Sequence, residues 1–199
     1  MGFKNKEEID RILSALGEQL ADGNNAHVDL LVCGGSALHA LRLVSRTTKD
    51  VDVVALVSKD AAQHLALGSA KDFPAYLLDA VGKVARDFSL TADWLNSGPT
   101  SALDFGLPKG ILDRAEVREY GRSLTVRFIS RYDQIHFKLY AAVDQGGKHY
   151  QDLLALQPLA EELEAAARWS MTHDVSEGYR GEVKRLLKEM GHENVAQRI

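Results

Sequence analysis

VCGGSALHALRLVSRTTKDVDVVALV, residues 32–57, decides the fold. It begins inside an apolar run, Val28 to Cys33, that predicts a buried strand. The run stops at Gly34-Gly35-Ser36, and a helical pattern follows with Ala37, Leu38, Leu41 and Val44 on one face. Lys49 to Val57 then predicts a second strand. Asp50 and Asp52 are two residues apart, a spacing that puts both carboxylates on one face of a strand.

This order has chemical consequences. A strand that runs into Gly-Gly and a helix start presents backbone N–H groups, and a helix N-terminus attracts phosphate. Glycine lets a ligand approach the backbone closely, because no Cβ intervenes. Ser36 is placed either to cap the helix or to bond a phosphate oxygen. Two adjacent carboxylates are costly unless a cation lies between them. Mg²⁺ is suited to that, since it takes one or two carboxylates plus substrate phosphates. Arg46 lies just ahead of the second strand, where it either meets an anionic group or forms part of a solvated face.

Gly34-Gly35-Ser36, a spacer and then Asp50-Val51-Asp52 between apolar residues resemble the signature of the nucleotidyltransferase superfamily, whose fold is shared with DNA polymerase β. Within it, GGSAL followed by R-T-x-K-D-V-D is similar to the AbiEii-like proteins. These are bacterial nucleotidyltransferases of type IV toxin–antitoxin systems, together with many uncharacterised relatives. The resemblance implies an α+β nucleotidyltransferase fold, a small mixed sheet flanked by helices, with a C-terminal helical region. The core would span residues 1–130 and the helical region 131–199. It also implies Mg²⁺-dependent transfer of a nucleoside monophosphate from an NTP to an acceptor, with RNA, a protein and a small molecule all open. Gly34, Gly35 and Ser36 would hold the β- and γ-phosphates, and Asp50 and Asp52 the metal.

Further residues enter through the same resemblance. Lys138-Leu139 with Ala141, a short turn and Asp152 resemble the C-terminal motif of the AbiEii-like group. That motif implies that Lys138 offsets developing charge and that Asp152 orients Lys138 or acts as a base. Read from the residues alone, Lys138 is one half of an ion pair with Asp152. Asp93-Trp94-Leu95-Asn96 resembles an element of uncharacterised relatives, which puts Asn96 near the nucleotide. Its loop either borders a pocket or packs through its aromatics. The family often carries a third acid on a later strand. Here Thr125 and Arg127 stand at those alternating positions, and Asp93 and Asp113 are poorly placed substitutes. That departure favours an alternative: a nucleotidyltransferase-like chain that binds a nucleotide or a protein partner without turnover. A dinucleotide-dependent oxidoreductase does not fit, because the glycines do not form G-x-G-x-x-G.

Composition bounds the rest. A 199-residue chain with 45% hydrophobic and 26% charged residues can bury a substantial core. A net charge of −4 argues against broad non-specific nucleic-acid binding. Cys33 is the single cysteine, so no internal disulfide forms, and a reducing, cytoplasmic setting is expected. The N-terminus has no apolar signal-peptide core, and no stretch is long enough to predict a membrane span.

In chain order, helices are expected over Asn5–Leu20, Ser58–Gly68, Phe73–Phe88, Tyr132–Val143, Pro158–Met171 and Glu177–Met190. Gly23-Asn24-Asn25 closes the first of them. Strands are expected over Leu112–Tyr120 and Ser123–Ser130, joined at Gly121-Arg122. The last helices either complete a base pocket or form a homodimer surface. His39 is expected as a partly buried helix residue.

Overall fold

The computed structural model describes residues 3–23 and 27–199, so Asn24 and Asn25 of the expected turn lie outside the described residues. The chain divides into two compact units. The first is Met1–Gly106 with Gly110–Ile129, the second Leu107–Lys109 with Ser130–Ile199.

The first unit is a mixed six-stranded sheet with helices. In order it holds α1 (Lys6–Gly23), β1 (Val28–Cys33), α2 (Gly34–Ala40), β2 (Val51–Lys59), β3 (Leu65–Gly68), α3 (Ala75–Asp87) and β4 (Leu95–Asn96). A 3-10 helix follows over Gly98–Phe105, then α4 (Ile111–Arg114), β5 (Glu116–Glu119) and β6 (Leu124–Phe128). The strand order is β3-β2-β1-β6-β5, with β4 pairing β2 off that path. β1 is antiparallel to β2 and parallel to β6. The two strands that carry the decisive stretch are therefore neighbours at the centre of the sheet.

The core follows from the apolar patterns. Asn5 caps α1 by accepting from the Glu8 N–H at 2.9 Å. Ile9, Ile12, Leu13, Leu16 and Leu20 form its buried face. They join Leu30, Val32, Val53, Val126 and Phe128 of the sheet and Leu77, Val81 and Val84 of α3 in one cluster. Each such side chain contributes roughly 1.5–3 kcal/mol through burial. Trp94 belongs to this core: it is fully buried, and its indole N–H donates to the Val81 carbonyl at 3.1 Å. The Trp94 loop is thus packed through its aromatic ring, while Phe105 is exposed.

Two expectations need correction, and two apolar side chains lie at the surface. Ser58–Gly68 is not a helix. β2 continues to Lys59, Asp60 accepts from the N–H groups of Ala62 and His64 at 2.8 and 2.9 Å, and β3 returns antiparallel. That side-chain turn reverses the chain where the alanines suggest a helix. Leu112–Tyr120 is not one strand either, since α4 occupies its start and β5 begins at Glu116. Leu78 lies off the buried face of α3 and is 53% exposed. Val117, on the edge strand β5, is 47% exposed.

A polar network fastens α1 to β5. The Asp10 carboxylate accepts from Lys6 Nζ and Tyr120 Oη, both at 2.6 Å, and from Arg118 Nη1 at 3.2 Å. Arg118 also donates to the Ala40 carbonyl at 2.7 Å, where α2 ends. Partial burial alone would raise the Asp10 pKa, but the hydrogen bonds from Lys6 and Tyr120 and the Arg118 charge bring it below the usual carboxylate value. A depressed folded pKa means a contribution that is complete above about pH 4 and fades as pH falls through the folded value. Asp10→Asn is therefore expected to cost roughly 1–2 kcal/mol near neutral pH. The difference from wild type should shrink as pH falls below the usual carboxylate range, in urea titrations at stepped pH.

The second unit is helical: α5 (Arg131–Gln145), α6 (Gly147–Ala155), α7 (Ala160–His173), α8 (Glu177–Glu189) and α9 (Glu193–Arg198). Ser130 caps α5, accepting from the Asp133 N–H at 3.3 Å. Arg131 ties the start of α5 to α7 by donating to Glu162 at 2.6 and 3.0 Å. Leu139, Leu153, Leu163, Ala166, Ala167, Val183 and Leu187 are buried in this unit. Tyr140 and Trp169 form an edge-to-face pair, ring centroids 6.1 Å apart. Among the described residues no helix is long and apolar enough to cross a membrane.

Candidate functional site

The first unit brings the two halves of the decisive stretch together. Cys33 ends β1 and is in register with Asp52 of β2. Gly34 turns out of the strand with φ +73°, a left-handed conformation that favours glycine. A Cβ built on Gly34 would collide with the Asp52 carboxylate, whose Cγ would lie at 3.0 Å. The carboxylate therefore rests directly on the glycine backbone. Gly35 has the same kind of neighbour: a Cβ there would stand 2.8 Å from Thr48 Cβ and 3.4 Å from Arg46 Nη2. Thr48 Oγ1 in turn lies 3.5 Å from Asp50 Oδ1.

Asp50 sits immediately before β2 and Asp52 within it, and both are half-buried. The Val51 N–H between them donates to the Trp94 carbonyl at 2.6 Å, which fixes the backbone that carries the pair. β4 is parallel to β2, with Asn96 opposite Asp52. Asn96 Nδ2 donates to Asp52 Oδ1 at 3.3 Å, and Asn96 Oδ1 accepts from the Gly98 N–H at 2.9 Å. Gly34, Gly35, Arg46, Asp50, Asp52 and Asn96 thus border one place, reached from four separate segments.

Of the two roles open to Ser36, the cap falls away. Ser36 does not cap α2, whose N-cap position is Cys33 and carries no side-chain cap. Its hydroxyl is fully buried and faces the Cys33 carbonyl at 3.5 Å, within the turn itself. Gly34 and Gly35 are buried as well.

The positions sought for a third carboxylate are otherwise engaged. Thr125 Oγ1 lies 3.1 Å from the His27 ring, and Arg127 forms a bidentate pair with Asp29 at 2.8–3.1 Å. Asp93 is exposed, and the Thr91 hydroxyl holds its carboxyl below the usual carboxylate pKa. Asp113 is exposed on α4. Among the described residues no group of three or more His, Cys, Asp or Glu side chains could hold a metal ion. Asp50 and Asp52 as a two-carboxylate set still fit Mg²⁺ that arrives with a triphosphate, because the phosphates supply the remaining oxygens.

In the second unit Lys138 and Asp152 form a buried ion pair. Lys138 Nζ is 2.7 Å from Asp152 Oδ2, with the side chains 5% and 2% exposed. This is the geometry that the two residues predict on their own. Lys148 is exposed at the start of α6.

Two supporting residues are not assigned to the site by the sequence, in which His39 reads as a partly buried helix residue. Thr48 packs on Gly35 and reaches Asp50, and its backbone bridges Phe3 at 2.6 and 3.0 Å. His39 is buried, and its Nε2 meets the Arg46 carbonyl, so it anchors the loop that delivers Arg46. The threonine next to Lys49 is a readable signal. The pairing with Phe3 is not, because it joins distant positions.

The contact between Gly34 and Asp52 makes a direct prediction. Gly34→Ala would add left-handed strain of about 1–2 kcal/mol and push the carboxylate away. The variant is expected to melt earlier than wild type, read by differential scanning fluorimetry.

No family model matches the chain, and comparison with curated proteins and with solved structures finds no match either.

Proposed function

We propose that the chain is a Mg²⁺-dependent nucleotidyltransferase of the AbiEii-like type, built on the nucleotidyltransferase fold. It would transfer a nucleoside monophosphate from an NTP to an acceptor. The observation that carries this reading is the seat of the Asp52 carboxylate on the Gly34 backbone, with Asn96 bonded to it and Arg46 beside Gly35. A phosphate-binding turn and a carboxylate pair are useful to each other only at such a distance.

In this reading an acceptor oxygen attacks the α-phosphorus, the bond to the β-phosphate oxygen breaks, and pyrophosphate leaves. Mg²⁺, when bound, neutralises charge on the triphosphate and on the leaving group. Asp50 and Asp52 would hold it, and the Asn96 amide fixes the Asp52 carboxylate. The backbone of Gly34 and Gly35 and the Arg46 guanidinium bind the β- and γ-phosphates. The acceptor is RNA, a protein or a small molecule.

A second reading is favoured by one observation. Thr125 and Arg127, at the positions of the absent third carboxylate, are committed to His27 and Asp29. A chain without that acid would bind a nucleotide, or a protein partner, without turnover. Titration calorimetry with Mg·NTP tests the ground both readings share. Wild type should bind with a Mg²⁺ requirement, and Asp50→Asn should weaken binding about 10-fold or more. Equal binding by wild type and variant, or binding indifferent to Mg²⁺, would contradict the metal assignment.

A further inference from the structure

Residues 41–50 lie between α2 and β2, outside both elements, yet their backbone is held along its length. The segment starts with a turn closed by two backbone bonds. The Leu43 N–H donates to the Leu38 carbonyl at 2.8 Å, and the Arg42 N–H to the His39 carbonyl at 2.9 Å. Arg42 takes φ +58° there, the left-handed conformation that ordinarily falls to glycine at a helix C-terminus. Near the end of the segment, Phe3 and Thr48 exchange both backbone bonds, at 2.6 and 3.0 Å. Arg46 lies between these two anchors, and its Nη2 would stand 3.4 Å from a Cβ on Gly35.

His39 fastens the middle of the segment. Its side chain is 3% exposed, and its Nε2 meets the Arg46 carbonyl. A carbonyl only accepts, so this ring nitrogen is the donor. α2 reads GGSALHA, and a polar ring buried among those residues is costly unless it is bonded. The bond goes to the main chain of Arg46, seven residues on, and not towards the place where a ligand would lie. His39 therefore fixes the point from which the guanidinium extends over the glycine turn. A charged group serves a bound anion well only when its support is held in this way.

We propose that His39 is a positioning residue, which sets Arg46 for the triphosphate through the Arg46 carbonyl. This inference rests on the nucleotidyltransferase reading and extends it to a residue that touches no substrate. Calorimetry with the full chain measures binding of Mg·NTP and Mg·tripolyphosphate by wild type, His39→Ala, Arg46→Ala and the double variant. His39→Ala is expected to weaken both ligands about 10-fold, and Arg46→Ala at least as much. Adding His39→Ala to Arg46→Ala should cost about 2-fold or less, because the two act through one contact. His39→Gln and His39→Asn complete the test, and replace His39→Ala if it does not fold. The Gln amide reaches the place of Nε2 and should restore binding, whereas the Asn amide reaches only that of Nδ1 and should not. The same loss from His39→Ala in both backgrounds, or equal binding by the Gln and Asn variants, would overturn the positioning role. Wild-type affinity in His39→Ala, with Arg46→Ala weakened, would overturn it too and leave the nucleotidyltransferase reading standing. Wild-type affinity in Arg46→Ala would remove the contact that His39 is proposed to position. Wild-type protein that binds neither ligand would overturn the underlying reading, and this inference with it.

Discussion

Lys138→Met is expected to destabilise the protein by about 3–5 kcal/mol, because it strips a buried carboxylate of its ammonium. Lys138 and Asp152 are 5% and 2% exposed and 2.7 Å apart, so water cannot step in cheaply to solvate Asp152. The double replacement Lys138→Met with Asp152→Leu should recover most of that loss, since two apolar side chains leave no charge to desolvate. Urea denaturation of the four proteins in this cycle measures the coupling. Removing the pair should also reveal what it is for. A purely structural pair predicts a double variant with wild-type nucleotide binding. The role that the resemblance implies for Lys138 predicts instead a stable double variant with impaired transfer.

Asp52→Asn should do the opposite: leave the fold and remove the activity. Asn has nearly the same shape as Asp, still fits against the Gly34 backbone and can still accept from Asn96. Stability should stay within about 1 kcal/mol of wild type. On the proposed mechanism, nucleotidyl transfer should fall on the order of 10³-fold, because the carboxylate closest to the glycine turn would no longer neutralise the metal. Wild-type activity in Asp52→Asn would mean that the carboxylate pair is a structural feature of β2. Comparing melting curves with transfer rates for the same preparations separates the two cases.

The sheet was legible where local pattern and pairing agree. The apolar run Val28–Cys33 became β1, and the alternation of Leu124, Val126 and Phe128 became β6. α1, α3 and α5 follow their apolar faces to within a few residues. Ser58–Gly68 failed because alanine-rich composition describes local preference only. There the backbone of β2 pairs on into β3, and the Asp60 side chain makes the turn. α9 went unread because a short helix near a chain end has too few residues to show a period.

The candidate site was legible in its residue types and less so in its contacts. The proximity of Gly34 to Asp52 depends on Cβ clearance, which spacing does not encode. The Asn96 contact depends on β4, a two-residue strand. The network of Asp10, Arg118 and Tyr120 joins residues 108 and 110 positions apart, beyond any local pattern. Ser36 shows the limit from the other side. Its place in the motif suggested a cap as one of two roles, yet its hydroxyl faces the Cys33 carbonyl inside the turn.

The carboxylates beside the Gly34–Gly35 turn are proposed to serve transfer of a nucleoside monophosphate. The measurement that tests this most directly is label transfer from each α-phosphate-labelled NTP in Mg²⁺, with total RNA and the protein itself present as acceptors. Wild-type protein should place label on an acceptor and release unlabelled pyrophosphate, and Asp50→Ala and Asp52→Ala should not. Label that persists in both variants, or none in wild type while it binds Mg·NTP, would contradict the claim.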